Sequence, residues 1–121
     1  MSRNILVVDD DNDTLQSVKD IFEHQGHEVI TVNDGIKCID KLKNDFKGIL
    51  LVDIMMPTMD GWDTIREIVD NRLEKNIDII VMTAIGTTHH EKMKGLEPYV
   101  HDYISKPFNI SELIESIRKL T

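Results

Sequence analysis

A chain of 121 residues bounds the protein to one domain around one hydrophobic core. Hydrophobic residues make up 40% and charged residues 30%, the balance of an ordinary soluble globular protein. The formal net charge of −8 argues against direct nucleic-acid binding, which needs a basic face, and leaves room for a cation site. The single cysteine, Cys38, rules out an internal disulfide and fits a reducing cytoplasm. No apolar run approaches the roughly 20 residues of a membrane span. Met1-Ser2-Arg3-Asn4 meets a strand directly, without the long apolar region of a secretory signal.

Ile5-Leu6-Val7-Val8 is an aliphatic run that reads as a buried strand, closed by the acidic cluster Asp9-Asp10-Asp11-Asn12-Asp13. Asp and Asn start helices well, and Leu15, Val18, Ile21 and Phe22 follow at helical spacing to a stop at Gly26. Val29-Ile30-Thr31-Val32 is a second strand, placed at a sheet edge by the polar residues around it. Asp34-Gly35 opens a second helix with the stripe Ile36, Ile39, Leu42 and Phe46. Gly48-Ile49-Leu50-Leu51-Val52-Asp53 reads as a central strand buried on both faces, with one carboxylate at its tip. After a loop over Met56-Pro57-Thr58-Met59-Asp60-Gly61, Trp62, Ile65, Ile68 and Val69 make a third helical stripe. Ile77 to Met82 is the fourth strand, running into Thr83-Ala84. A fourth helix is expected from Thr87 to Glu97, stopped by Pro98 and thinly packed through Met93 and Leu96. Val100 to Ile104 is the last strand, and Ser105-Lys106-Pro107-Phe108 a loop. In the final helix Asn109 is the expected N-cap, with Glu112 at N3 and a stripe of Ile110, Leu113, Ile114, Ile117 and Leu120.

Roughly five βα units alternate along the whole chain, so a single α/β domain over residues 1–121 is expected: a doubly wound five-stranded parallel sheet with helices on both faces. With right-handed crossovers the common strand order is 2-1-3-4-5. That order sets the ends of the first and third strands side by side, so Asp9, Asp10 and Asp53 converge in one crevice. Such a cluster repels itself and should raise at least one carboxyl pKa. A hard divalent cation relieves the repulsion, and Mg²⁺ (or Mn²⁺) suits carboxylates, waters and phosphate oxygens. Thr83 and Lys106 add a hydroxyl and an ammonium at the ends of the fourth and fifth strands. This set suits phosphoryl transfer with Asp53 as nucleophile.

These pieces together resemble a response-regulator receiver domain of two-component signalling, similar to the chemotaxis receivers, over essentially the whole chain. The matching residues are Val8-Asp9-Asp10, Asp53 with Met56-Pro57 and Asp60-Gly61, Thr83-Ala84, and Tyr103 with Lys106-Pro107-Phe108. The flavodoxin-like sheet order is itself partly carried over, because a chemotaxis receiver is a standard example of it. The resemblance implies that Asp53 accepts a phosphoryl group from a phosphohistidine on a sensor histidine kinase or phosphotransfer protein. It implies that Asp10, Asp53 and the Met55 carbonyl bind the metal, with Asp9 holding a metal-bound water. Thr83 would hydrogen-bond the phosphoryl group and Lys106 would pair with it. Pro107 is similar to the family's cis-proline, and Tyr103 to its aromatic switch beside Thr83. The output surface would be the fourth helix, fifth strand and fifth helix, with an unknown downstream protein or a phosphorylation-dependent homodimer as its partner. The chain would catalyse only its own phosphorylation and dephosphorylation.

Other side chains read more plainly. Asp11 and Asp13 are helix-start charges. Adjacent His89 and His90 do not face one another on a helix, and His24, His27 and His101 read as surface residues. The methionines are fillers, Trp62 is packing, and Cys38 lies off the stripe of its helix. Where many receivers carry a Gly-Ala pair before the last strand, this chain has Pro98-Tyr99-Val100-His101, and a different local path is expected there. Met55 and Ile85, two residues beyond Asp53 and Thr83, are apolar and cannot orient water. They are expected to shield an acyl phosphate and slow its hydrolysis. Two competitors stand beside the switch: an aspartyl-nucleophile phosphatase and a phosphate-independent interaction module on the same fold. A flavin site is disfavoured, since acids follow the first strand where a phosphate cradle would be.

Overall fold

The computed structural model describes residues 3–84 and 91–121. Five strands form one parallel sheet: β1 (Asn4–Val8), β2 (Glu28–Val32), β3 (Gly48–Asp53), β4 (Ile77–Ala84) and β5 (Val100–Lys106), in the order 2-1-3-4-5. Four α-helices cover it: α1 (Asn12–His24), α2 (Gly35–Lys43), α3 (Gly61–Asp70) and α4 (Ile110–Arg118). Among the described residues no helix is long and apolar enough to cross a membrane.

The pleat of β3 divides the core. Ile49 and Leu51 join Leu15, Val18 and Phe22 of α1 and Leu113 and Ile117 of α4 on one face. Leu50 and Val52 join Cys38, Ile39 and Leu42 of α2 and Trp62, Ile65 and Ile68 of α3 on the other. Every residue of β3 is buried, as its unbroken aliphatic run requires. β2 lies at one edge with an exposed–buried pattern, as its polar neighbours indicate.

Local signals fix the helix starts. Asp11 accepts the Asp13 N–H at 3.1 Å and the Thr14 hydroxyl at 2.9 Å, and Asp34 accepts the Lys37 N–H at 2.8 Å. Asn109 accepts the Glu112 N–H at 3.2 Å. The fully reciprocal capping box is at α3, where Asp60 accepts the Asp63 N–H at 2.9 Å and Asp63 accepts the Asp60 N–H at 3.2 Å.

Several expectations change. Of the expected helix from Thr87 to Glu97, residues 87–90, with His89 and His90, lie outside the described residues. Beyond them the chain makes two 3₁₀ turns, Glu91–Met93 and Glu97–Tyr99, in place of a continuous α-helix. Gly95 sits between them at φ +84°, and Pro98 lies inside the second turn. A stripe of only Met93 and Leu96 gives a regular helix little to bury, and Leu96 alone of the two is fully buried. β5 runs on to Lys106, two residues past its expected end, because Ser105 and Lys106 continue the ladder opposite Thr83 and Ala84. Ile36 and Ile110 are 65% and 54% exposed, so the buried stripes of α2 and α4 begin later than the sequence pattern suggests. Cys38 is fully buried against the sheet, and burial pushes its thiol up to about 12.

The β4–β5 ladder carries a bulge: Ile79 pairs with Val100, but Ile80 pairs with Asp102. The extra residue, His101, is exposed, yet its Nδ1 accepts the Ile79 N–H at 3.3 Å and its Nε2 lies 3.2 Å from Asp78. His27, by contrast, is half-buried, its Nδ1 accepting the Arg3 N–H at 3.0 Å.

Gly48 begins β3 at φ +153°, and a Cβ there would overlap the Asn4 carbonyl oxygen of β1. Gly48→Ala is expected to lower stability by about 1–3 kcal/mol, read as an earlier thermal or urea midpoint with an unchanged denaturant slope. An unshifted midpoint would mean that β1 and β3 part at no cost.

Candidate functional site

The C-terminal ends of β1, β3, β4 and β5 form one rim of the sheet, the edge at which open α/β folds bind ligands. Asp9 follows Val8, whose partner in β3 is Val52, so Asp9 and Asp53 leave adjacent strands side by side. Asp53 pairs with Met82, and Met82 with Ile104, on the pleat face that packs on α1 and α4. Lys106 lies two residues beyond Ile104 and shares that face. Thr83 has the opposite parity, in phase with Val81 on the α2–α3 face, and is buried. The hydroxyl and the ammonium thus come to the rim from the two sides of the sheet.

Asp9 and Asp53 are buried, at 0% and 3% exposure, while Asp10 is exposed. One carboxylate oxygen from each of the three lies within 4.8 Å of the others. Lys106 Nζ stands 2.5 Å from Asp9 Oδ2 and 3.4 Å from Asp53 Oδ2. The other oxygen of Asp9 accepts the Asp11 N–H at 2.9 Å, and Asp53 Oδ1 accepts the Met55 N–H at 3.2 Å. Burial, then the charge of Asp9, pushes the Asp53 carboxyl up to about 6 against the opposing pull of Lys106. The Lys106 ammonium is held above its usual value by the two carboxylates, which outweigh its own burial.

The donor set fits a small hard cation. Three carboxylates offer oxygens alone, Asp10 opens the cluster to water, and the buried pair carries more negative charge than one ammonium balances. The Lys106–Pro107 peptide is cis. Tyr103 is 37% exposed on β5, opposite Val81, and its hydroxyl is held above the usual phenol value by burial and by Glu97. Met55 lies at the rim with its side chain 59% exposed, and Ile85 lies outside the described residues.

Sequence reasoning missed how α3 meets the site. The Gly61 N–H donates to the Ile54 carbonyl at 3.1 Å, and a Cβ on Gly61 would collide with the Asp53 carbonyl oxygen and the Ile54 Cα. The Asp60-Gly61 pair is visible in the sequence as a turn, but the close approach that requires glycine is a property of the packed fold.

The chain belongs to the response regulator receiver family: the family model for the response regulator receiver domain matches residues 5–118. Among curated proteins it is 33% identical over 120 residues to response regulator MprA of Mycobacterium bovis, covering 99% of this chain and 51% of that protein. It is 37% identical over 116 residues to transcriptional regulatory protein CpxR of Escherichia coli, covering 96% and 48%. The chain therefore spans about half the length of these relatives. Its structure resembles a CheY-like receiver domain protein from Methanospirillum hungatei, with TM-score 0.91 and 47% identity over 97% of this chain and 92% of that one. It also resembles the Thermotoga maritima response regulator TrrA in complex with Mg²⁺ and BeF, with TM-score 0.81 and 27% identity over 98% and 99%. The protein is a receiver domain of a two-component system, and its acidic cluster is able to hold a metal ion.

The raised Asp53 pKa has a sign that can be measured. The unfolded carboxyl ionises near its ordinary value and the folded one near about 6, so the folded state binds more protons between them. Stability therefore falls as pH rises through that window, by roughly 1–3 kcal/mol. In metal-free protein, Asp53→Asn should melt higher than the parent at pH 7.5, with the gap closing near pH 4.5. Millimolar Mg²⁺ should narrow the pH 7.5 gap by stabilising the parent. Equal melting at both pH values would remove the charge-repulsion account.

Proposed function

We propose that this receiver is a phosphorylation-controlled switch in which Asp53 takes a phosphoryl group from a phosphohistidine on a sensor histidine kinase or phosphotransfer protein. The observation that carries the proposal is the convergence of buried Asp9 and Asp53, exposed Asp10 and the Lys106 ammonium on one rim. An Asp53 carboxylate oxygen attacks phosphorus, the P–N bond breaks, and the imidazole leaves with its electron pair. Lys106 transfers its pairing from Asp9 to the phosphoryl oxygens, and Thr83 donates its hydroxyl to the same group from the opposite face of the sheet. A Mg²⁺ or Mn²⁺ ion held by Asp10, Asp53 and the Met55 carbonyl, with Asp9 on a bound water, supplies neutralising charge when present. The Met55 N–H bond to Asp53 supports that assignment, because it brings the Met55 peptide to the carboxylate.

The added charge of about −2 on Asp53 then biases a two-state surface. We assign that surface to residues 91–99, β5 with Tyr103, and α4, facing a downstream protein or a second copy of the chain. Residues 1–121 act as one such domain, in the cytoplasm. The chain is not a turnover enzyme: it carries out its own phosphorylation and dephosphorylation.

Incubation with Mg²⁺ and acetyl phosphate should give one stoichiometric acyl phosphate on the parent and none on Asp53→Asn. Beryllofluoride should shift amide resonances on β5 and α4 in the parent alone. Steady release of phosphate from an ester substrate would favour a phosphatase instead. No modification under either reagent would leave an interaction module independent of phosphate.

Met55 supports a second expectation, since its apolar side chain lies at the rim. Met55→Asn should speed loss of the acyl phosphate several-fold by giving water a hydrogen-bonding partner, and Ile85→Glu should add to it. A double variant that loses phosphate at the parent's rate would overturn the shielding role.

A further inference from the structure

The link between β4 and β5 is tied to α3 by charge. Lys92 Nζ lies 3.1 Å from Asp60 Oδ2 and 3.1 Å from Asp63 Oδ2, so one ammonium bridges both carboxylates of the α3 capping box. Asp63 is held below the usual carboxylate range by these hydrogen bonds despite some desolvation. A second tie lies one turn along the helix, where the Arg66 guanidinium donates to the Lys94 carbonyl at 3.2 Å. Beneath the ties, Leu96 is buried and Met93 partly buried in the core cluster that contains Trp62. The Trp62 indole N–H is buried and has no hydrogen-bond partner among the described residues.

The anchored end of α3 is also the end that touches the site. Gly61 follows Asp60 directly and leaves no room for a Cβ between its backbone and the Asp53 carbonyl oxygen. A displacement of the Asp53 backbone toward α3 would press on Gly61 and on the α3 N-terminus, with Asp60 and Asp63 on it. Those two carboxylates hold Lys92. The second 3₁₀ turn then leads from Leu96 into β5, which carries Tyr103 and Lys106.

We propose that Lys92 is an ionic latch that holds residues 91–96 on the α3 N-terminus and carries the state of the Asp53 site to the surface formed by residues 91–99. The coupling half of the proposal rests on the reading of Asp53 as phosphoacceptor. The latch half does not. The Lys92 side chain is 46% exposed, so the latch is weak enough to open and sensitive to salt. An output element needs both properties, since a tie too strong to break would report nothing.

Hydrogen exchange on the full chain tests both halves, with parent, Lys92→Gln and Lys92→Arg compared with and without Mg²⁺ and beryllofluoride. Without ligand, Lys92→Gln should speed exchange over residues 91–99 by about threefold, and ~0.5 M NaCl should do the same to the parent but add nothing to the variant. Lys92→Arg should behave as the parent. Unchanged exchange in Lys92→Gln overturns the latch. With beryllofluoride, the change over residues 91–99 should be large in the parent and less than half as large in Lys92→Gln, while binding itself is kept. A full response in the variant overturns the coupling. Failure of the parent to take up beryllofluoride is a different result: it removes the phosphoacceptor reading and the coupling with it, while the ligand-free comparison still decides the latch.

Discussion

The constraint on which the rest depends is the burial of two carboxylates with one ammonium. Asp9 and Asp53 are almost without solvent, and Lys106 is the cation nearest to both. Removing a carboxylate from water is costly unless it is paired, and one ammonium shared unequally between two carboxylates leaves charge uncompensated. The closer contact to Asp9 leaves Asp53 as the under-compensated partner, and its pKa is raised first by burial and then by the charge of Asp9. The sheet holds the arrangement in place. Fully buried β3, flanked by β1 and β4, keeps the carboxylates from relaxing apart. A site that repels itself in a rigid frame is ready for any species that brings positive charge or redistributes the lysine.

The rest of the molecule divides into a stiff part and a conditional part. β1 to β4 with α1, α2 and α3 carry nearly continuous apolar cores on both faces. The chain from Glu91 to Tyr99 has two short 3₁₀ turns, a glycine at positive φ, and polar ties to α3. Local stability follows buried apolar contact, so the conditional part is the one placed to change. It also lies between the two strands whose tips carry Thr83 and Lys106.

The parallel sheet and the strand ends at the rim were legible in the sequence because both follow from strong local patterns, while the strand order came in part from the family resemblance. Aliphatic runs of strand length ended at Asp9, Asp53 and Thr83, and alternation of strand and helix left few topologies. Given that order, the carboxylate cluster followed from the adjacency of β1 and β3. What escaped was set by packing between distant segments. The exposure of Ile36 and Ile110 depends on where each helix first meets the sheet. Burial of Cys38 follows helical spacing after all, since Gly35, Cys38, Ile39 and Leu42 form the buried stripe; starting the stripe at Ile36 turned it away from the cysteine. The pattern of Met93 and Leu96 could not separate a weak helix from two turns, since Gly95 and Pro98 carried the deciding preference. The reach of Lys92 to Asp60 and Asp63 spans about thirty residues and has no local signature.

The bulge opposite Ile79 acts as a reading frame for β5. Before it, a residue of β4 faces the β5 residue 21 positions on; after it, the offset is 22, with His101 absorbed as the surplus letter. Side chains alternate along a strand, so a single-residue slip turns every later side chain to the other face. Were His101 paired in the ladder opposite Ile80 in place of being bulged out, Tyr103 would fall opposite Met82, and Lys106 would point to the α2–α3 side, away from Asp9 and Asp53. The exclusion of one exposed residue from the ladder, far from the rim, therefore decides which face of the sheet receives the lysine. Insertions and deletions between Asp102 and Lys106 should be far less tolerated than substitutions there, because they change the phase of the strand and not only its composition.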